Sequence, residues 1–261
     1  MSHRRAFCWV SVVLLMSLVG GAYAAQNDWT NATGNGRWMD PNNWSQGKVP
    51  GPGTGNTRIN PDTNADPNHL AGPTIGVGEI AVTDAADVWG PEFGALTVTI
   101  AGGSYTSPAF VGMVSVGTAD NARPVINMGP EGSGGWLDVI NFLIGDSWWW
   151  HGGPYVTYNQ WSGTAIVRDY VWLGGEMNLF GGIVYVFNGF NMASVGQPPE
   201  LCKLNIEKGI LMLPKGYKAN VENWIVDGYC VAYGGTGQIV IEELPNRTKV
   251  TALPAQVVPP P

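Results

Sequence analysis

Charged residues are scarce in this 261-residue chain and make up 13% of it. Glycine, by contrast, occurs 37 times and tryptophan 12 times. Surface helices need many Lys, Glu, Arg and Ala residues, so this composition favours short strands joined by tight turns. Acidic residues outnumber basic ones, 20 to 13, so the chain would repel phosphate and is not expected to bind nucleic acid.

Histidine and cysteine are also rare, with three of each. Because Cys8 lies in an N-terminal apolar run, only Cys202 and Cys230 belong to the expected mature chain. An oxidising compartment would permit a disulfide between these two. Two buried thiols are the alternative, since cysteine often acts as a small core residue, and both states fit the sequence.

Residues 1–24 have the build of a secretory signal peptide. A basic start with Arg4 and Arg5 precedes an apolar run at 6–20, and small residues lead to a cleavage point between Ala24 and Ala25. The run is short for a membrane span, and no second apolar stretch of that length follows it. We therefore expect secretion, with no membrane span left after cleavage, rather than a retained anchor.

Two types of short sequence segment, here called lines, alternate along the middle of the chain. In each line, apolar residues occupy every second position and a glycine ends the segment. The first type occurs at 96–103, 124–129, 155–163, 177–182 and 203–209. The second occurs at 112–117, 141–145, 170–174 and 191–196, and it closes on Gly117, Gly145, Gly174 and Gly196. A repeat of roughly 20 to 30 residues, as these glycines indicate, is typical of solenoids, in which each repeat buries its apolar face against the next.

The lines predict an all-β fold, a single-stranded parallel β-solenoid (β-helix) with coils at 94–215. Alternation sends Val, Ile, Leu and Phe to the inner face, and glycine permits the turns between faces. The predicted caps are a Trp/Gly-rich N-terminal region with loops at 25–93 and a C-terminal segment at 216–253, before a proline-rich tail at 254–261. An antiparallel β-sandwich or jelly roll is the alternative, because Gly-Gly and Asn-Gly also form hairpin turns.

The two predicted caps carry weaker signals than the coils. In the N-terminal cap, residues 79–83 favour one strand between turn-rich stretches. In the C-terminal cap, residues 220–228 favour a short helical segment, and residues 229–244 favour a pair of strands after it. Atypical segments are expected here, because the ends of a solenoid expose unpaired edges.

The opening pattern Gly-x-Trp, Asn-Trp, Gly and Pro resembles the first module of large secreted bacterial β-solenoid proteins. These include autotransporter-like passengers and exported repeat-rich proteins of the PEP-CTERM type. The residues that carry the resemblance are Gly36, Trp38, Asn43, Trp44, Gly47 and Pro50, followed by Leu96, Val98, Ile100, Gly102 and Gly103 in a coil-like line. The resemblance implies a parallel β-solenoid outside the cell or at its surface, and it carries over no catalytic residue.

Three consecutive tryptophans, with further aromatic residues close by, form a candidate binding region at 148–161. In an extended segment consecutive side chains point to opposite sides, so the three tryptophans cannot all be interior. Exposed rings stack on sugars, and tryptophan is favoured at protein interfaces. A hydrophobic plug over one coil is the alternative. The candidate contact residues are Trp148, Trp149, Trp150, Tyr155, Tyr158 and Trp161.

Oxygen-bearing side chains alternate in a second candidate site, formed by Asp62, Asn64, Asp66 and Asn68. Such spacing suits Ca²⁺, which prefers oxygen ligands. The glycine and glutamate of an EF-hand loop are missing, since prolines stand in their places, so an Asx turn is the alternative. Calcium is the one cofactor for which the sequence offers a candidate.

Catalytic signals are weak. Residues 145–147 read Gly-Asp-Ser, as in some esterases, but no histidine follows His151 to activate the serine. A glycosidase or lyase needs convergent carboxylates, or carboxylates with a base. Ionisable residues of neighbouring lines show no diagnostic spacing for this; they are Asp138, Asp146, Arg168, Asp169 and Glu176.

We therefore expect a secreted, noncatalytic protein with a structural, adhesive or assembly role at the cell surface or in extracellular matrix. Its expected partners are polysaccharide, other surface proteins or further copies of the chain. A carbohydrate-binding module that uses the aromatics at 148–161 is the second hypothesis. A polysaccharide lyase or glycoside hydrolase is the third.

Overall fold

The computed structural model describes residues 27–54, 56–59, 72–83, 85–89, 94–114, 122–144, 156–192 and 202–256. Within these ranges the chain is all-β apart from one helix, α1 (Lys218–Val226), and short 3-10 turns. The twenty strands, in chain order, are β1 (Asn27–Asp28), β2 (Asn56–Ile59), β3 (Thr74–Ile75), β4 (Ile80–Val82), β5 (Ala85–Trp89), β6 (Gly94–Ile100), β7 (Ser104–Val114), β8 (Ala122–Met128), β9 (Trp136–Ile144), β10 (Thr157–Gln160), β11 (Thr164–Val167), β12 (Tyr170–Leu173), β13 (Glu176–Leu179), β14 (Ile183–Val186), β15 (Gly189–Met192), β16 (Lys203–Ile206), β17 (Ile210–Pro214), β18 (Cys230–Ala232), β19 (Gln238–Glu243) and β20 (Arg247–Leu253).

The strands form two sheets, of 7 and 13 strands, that divide into three rows. Row 1 is the seven-stranded sheet, in the order β3-β6-β8-β10-β13-β16-β18. Row 2 runs β4-β7-β9-β11-β14-β17-β20-β19, and row 3 runs β1-β2-β5-β7-β9-β12-β15. The long strands β7 and β9 belong to both of the last two rows, with a register shift between Ser107 and Phe110.

Chain order passes through the rows in rotation. From β10 to β17, successive strands fall in rows 1, 2 and 3 in turn, so strands of one row come from successive turns of the chain. In row 1, Thr157 pairs with Glu176, and Glu176 in turn pairs with Lys203. The five first-type lines of the sequence lie in row 1. The described parts of the second-type lines lie in row 3.

Parallel pairing dominates these rows. Among the described strands, antiparallel ladders occur at the end of row 2, where β20 pairs with β17 and β19. All other strand pairs are parallel, including every neighbour pair of row 1. The antiparallel sandwich that was the alternative prediction therefore does not describe these sheets. The rows also begin before residue 94, because β2, β3, β4 and β5 already pair with later strands.

The core lies between the rows and is built from columns of inward side chains. In row 1, one column runs through Ile126, Tyr158, Met177 and Leu204, which occupy the same register on successive strands and are all buried. Rows 2 and 3 supply matching columns of mainly Val, Leu and Phe. Stacking like positions in register buries a continuous apolar surface that no single turn of the chain could bury by itself.

Glycines form the turn from row 1 to row 2, as predicted from the lines. Gly163 and Gly182 hold this turn in two successive repeats, with φ of 85° and 72° in the left-handed region. A side chain on Gly182 would collide with the carbonyl oxygen of Gly163, and one on Gly163 with the backbone of Gly135. Glycine is therefore needed both for the backbone angle and for the close stacking of turns.

Different segments cover the two ends of the rows. Near the N-terminus, Trp29, Trp38 and Trp44 pack edge to face in a buried cluster, and the Trp44 indole N–H donates to the Trp38 carbonyl. Near the C-terminus, α1 follows a row-2 strand and precedes a row-1 strand, so it takes the chain position of a row-3 strand. The helix overlaps the stretch 220–228 predicted as helical but begins and ends two residues earlier, and the strands after it do not pair with each other. β18 joins β16, and β19 joins β20.

Candidate functional sites

An asparagine ladder runs along the outer face of row 1. Asn127, Asn159, Asn178 and Asn205 occupy the same register position on β8, β10, β13 and β16. Each amide donates to the carboxamide oxygen of the preceding asparagine, at 3.1, 3.0 and 3.2 Å from the N-terminal to the C-terminal pair. The last oxygen, on Asn205, accepts the Gly234 backbone N–H at 2.9 Å. The ladder thus links four strands to the C-terminal segment.

Chemically, the ladder is a structural element rather than a reactive one. Carboxamides do not ionise, and here their donors and acceptors satisfy one another between strands. Asn178 and Asn205 are buried, where an unsatisfied amide would be costly. The sequence carried a signal for this feature. In four first-type lines an asparagine stands just before the last inward residue, as in the pair Asn178 and Leu179.

A stacked aromatic pair, of which one ring is exposed and the other half-buried, lies at the turn that follows row 1. Trp161 is 36% exposed and stacks on Phe180 of the next repeat, with ring centroids 5.3 Å apart and an interplanar angle of 27°. A third aromatic, Trp136, is 42% exposed and begins β9, where it pairs with Thr164, which follows Trp161 closely in the chain. This turn therefore presents aromatic rings from neighbouring repeats to solvent.

The aromatic residues predicted at 148–161 do not share one environment. Trp148, Trp149, Trp150 and Tyr155 lie outside the described residues. Trp161 is exposed, as a contact residue must be, and its stacking partner Phe180 was not among the predicted residues. Their pairing depends on the register of two repeats, which the sequence lines did not give.

Tyr158 is a correction to that prediction, because its side chain points into the core. Its hydroxyl oxygen lies 2.8 Å from Gln160 Oε1 and 3.2 Å from Met128 Sδ, so its single proton has two acceptors within reach. Burial raises the pKa of the Tyr158 phenol, so the group stays neutral and acts as a donor. Period-2 alternation from Val156, also buried, places Tyr158 inside, so it is not available to a ligand.

Three of the ionisable residues considered for catalysis, Asp138, Arg168 and Asp169, are engaged in structural pairs, and Asp146 lies outside the described residues. Arg168 forms a bidentate pair with Asp138, with Nε–Oδ1 at 2.7 Å and Nη2–Oδ2 at 2.6 Å. The hydrogen bond and charge of Asp138 raise the pKa of Arg168. Asp169 accepts the Asn188 side-chain N–H at 2.7 Å. These contacts tie β9 to the turn after β11, and that turn to the one after β14.

The candidate calcium ligands Asp62, Asn64, Asp66 and Asn68 lie outside the described residues. Among the residues that the structure describes, no group of three or more His, Cys, Asp or Glu side chains is placed to hold a metal ion. The calcium site stays a prediction from sequence.

Cys202 and Cys230 are buried thiols in the core beneath row 1, which is the second of the two states that fit the sequence. Cys230 lies in register with Leu204 rather than with Cys202, so the two cysteines are not opposite each other. The Cys202 thiol donates to the Leu173 carbonyl at 2.9 Å. Burial raises the pKa of the Cys230 thiol to about 12, which makes it a poor nucleophile.

Two further findings bear on function. No helix in the described part of the chain is long and apolar enough to cross a membrane. Comparison with protein-family models, with curated proteins and with solved structures finds no match for this chain.

Proposed function

We propose that the chain is a secreted, noncatalytic β-solenoid that serves as a structural or adhesive component outside the cell. The observation that carries the proposal is the rotation of the chain through three rows of in-register strands, tied together by the asparagine ladder. Such a stack makes a stiff rod with repeated outer faces, which suits a load-bearing or surface-displaying role.

Two sequence features support the setting of this role. Residues 1–24 have the order of charge, apolar run and small residues that a signal peptide needs. The opening Trp/Gly module resembles that of large secreted β-solenoid proteins of bacteria. The noncatalytic part of the proposal is supported by the pairing of Asp138 with Arg168 and of Asp169 with Asn188, which commits these groups to structure.

Export can be tested by expressing the whole chain and a version lacking residues 2–24 in a bacterial host. We expect the whole chain to leave the cytoplasm with Ala25 as its new N-terminus, and the shortened version to stay inside. N-terminal sequencing and cell fractionation are the measurements. A whole chain that stays inside the cell with residues 1–24 intact would contradict the proposal.

A second candidate function, carbohydrate binding, is favoured by the exposed Trp161, which stacks on the half-buried Phe180, and by the exposed Trp136. Planar aromatic surfaces of this kind stack on the apolar faces of sugar rings. A glycan array with the wild type, Trp161→Ala and Trp149→Ala tests it and separates the described turn from the tryptophans at 148–150. Tyr158→Phe is the matched control, because that ring is buried. Lack of any glycan signal for the wild type would remove this candidate.

A further inference from the structure

Two terminal strands of the 13-stranded sheet, β1 in row 3 and β19 in row 2, differ in what occupies their outer edges. At one end, β1 has only two residues, and a loop covers it. Ser45 N–H donates to the Asp28 carbonyl at 2.9 Å, and Asp28 N–H donates to the Ser45 hydroxyl at 2.8 Å. Asn27 holds the same loop through Lys48 and Gln46. This edge has no room for another strand.

At the C-terminal end of row 2, β19 pairs with β20 on one side, and no other described strand pairs with it. Leu244 N–H donates to the Arg247 carbonyl at the turn of this hairpin. Because bonded and non-bonded pairs alternate along an antiparallel ladder, Glu242, Val240 and Gln238 direct their backbone groups toward β20. The backbone N–H and C=O groups of Ile239, Ile241 and Glu243 therefore face outward, away from the hairpin.

We propose that β19 is the contact surface of a symmetric dimer, in which two copies of the chain pair antiparallel through this edge. A two-fold axis at Val240 brings Ile239 of one copy opposite the partner's Ile241, and the reverse. The backbone N–H and C=O groups of Ile239 and Ile241 point away from β20 and toward the partner, so each such pair exchanges two backbone hydrogen bonds. The two sheets then continue into one another across the dimer.

The sequence of β19 fits its own copy in this register. Val240 faces the partner's Val240, Ile239 faces the partner's Ile241, and Gln238 faces the partner's Glu242, to which its amide can donate. No glutamate lies opposite another glutamate. The strand has no proline and no bulge, two devices with which proteins usually block an exposed edge.

Pairing through β19 closes after two copies. The contact is isologous, because both copies use the same strand, so each edge is satisfied by the other and neither remains for a third copy. A dimer is therefore expected rather than a fibre. The proposed dimer rests on the proposed function in one respect only, which is that the two copies meet outside the cell. A chain that stays inside the cell but dimerises through β19 would refute the export proposal alone.

The test compares the mature chain, residues 25–261, with variants at Val240, whose side chain is half-buried on the outer face of the sheet. Sedimentation velocity of the wild type should show a monomer–dimer equilibrium that shifts with protein concentration. Val240→Lys and Val240→Glu each place like charges on the two-fold axis, so each should weaken dimerisation by at least about tenfold. Val240→Thr, which keeps the β-branched shape without charge, is the control and should dimerise.

An equimolar mixture of the Lys and Glu variants should recover the dimer, because opposite charges then meet at the axis. Recovery also shows that both variants are folded. A wild type that is monomeric at every concentration would overturn the proposal, as would assemblies larger than a dimer. A mixture that stays monomeric while circular dichroism shows both variants folded would overturn it too.

Discussion

The two ends of the strand rows show two ways to terminate a parallel stack. At the N-terminal end, Trp29, Trp38 and Trp44 form a buried cluster, and the loop around Ser45 occupies the outer edge of β1. At the C-terminal end, helix α1 covers the last strand of row 3, and an antiparallel hairpin ends row 2.

The difference lies in how backbone groups are satisfied. A helix bonds its own backbone internally, so α1 can end row 3 without offering an edge, and Tyr217 beside it accepts the Phe190 N–H at 3.0 Å. The hairpin pairs the edge of β17 through β20, but it adds β19 as a new edge strand. The N-terminal end of row 3 is thus covered by a loop, whereas among the described residues the C-terminal end is covered in row 3 and open in row 2.

The largest expected effect of a single substitution is at the sealed N-terminal end. Trp38 is fully buried and meets Trp44 and Tyr105 edge to face, at 4.8 and 5.7 Å between ring centroids. Trp38→Ala should lower the free energy of unfolding by about 3–5 kcal/mol, because it leaves a large cavity. The exposed Trp161→Ala is the control and should cost less than about 1 kcal/mol in the same denaturant titration. Similar costs for the two would show that the cluster does not seal this end.

The asparagine ladder gives a contrast between its two ends. Asn205→Ala removes the acceptor of Gly234 N–H and the donor to Asn178, both near the C-terminal segment. Asn127→Ala removes one acceptor at the more exposed end. We expect losses of about 2 kcal/mol for Asn205→Ala and about 1 kcal/mol or less for Asn127→Ala in chemical unfolding. The reverse order would mean that the ladder does not hold the C-terminal segment.

A smaller effect is expected for Tyr217→Phe, which keeps the ring and removes the acceptor of the Phe190 N–H. The loss should be about 1 kcal/mol, since one buried donor is left unsatisfied. Hydrogen exchange at the Phe190 amide should speed up, while exchange at Val171 on β12, the neighbouring strand in row 3, stays slow. An unchanged Phe190 rate would show that α1 covers row 3 without this bond.

The smallest effect is a pH dependence at the N-terminal end. Burial alone would raise the pKa of Glu79, but the hydrogen bond and charge of Arg37 and the bond from Gly76 N–H lower it overall. A lowered folded pKa stabilises the fold above the unfolded pKa, and this contribution is lost as pH falls through the folded value. The stability difference between wild type and Glu79→Gln should therefore shrink as pH is lowered from neutral to below the pKa of an ordinary glutamate. A stability difference between the two proteins that does not change with pH would contradict this prediction.

Much of this architecture is readable in the sequence because two of the three rows alternate clearly. First-type lines such as 177–182 put Met177 and Leu179 inside and Asn178 outside, and they lie in row 1. Row 2 could not be recognised from the sequence, because the residues at its outer positions are apolar as well. In β14, Ile183 and Tyr185 face outward while Val184 and Val186 are buried, so no polar alternation marks the strand.

The sequence by itself determined that the chain is made of short strands with glycine turns, which side chains in each line face inward, and that a short helix follows the coils. Those properties are local, set by period-2 alternation and backbone preference. Only the tertiary structure decided which repeats meet. Register between successive turns of the chain aligns Asn127 with Asn159 and Asn178, and it stacks Trp161 on Phe180. Such contacts depend on the length of every intervening turn, and no single line of sequence contains that information.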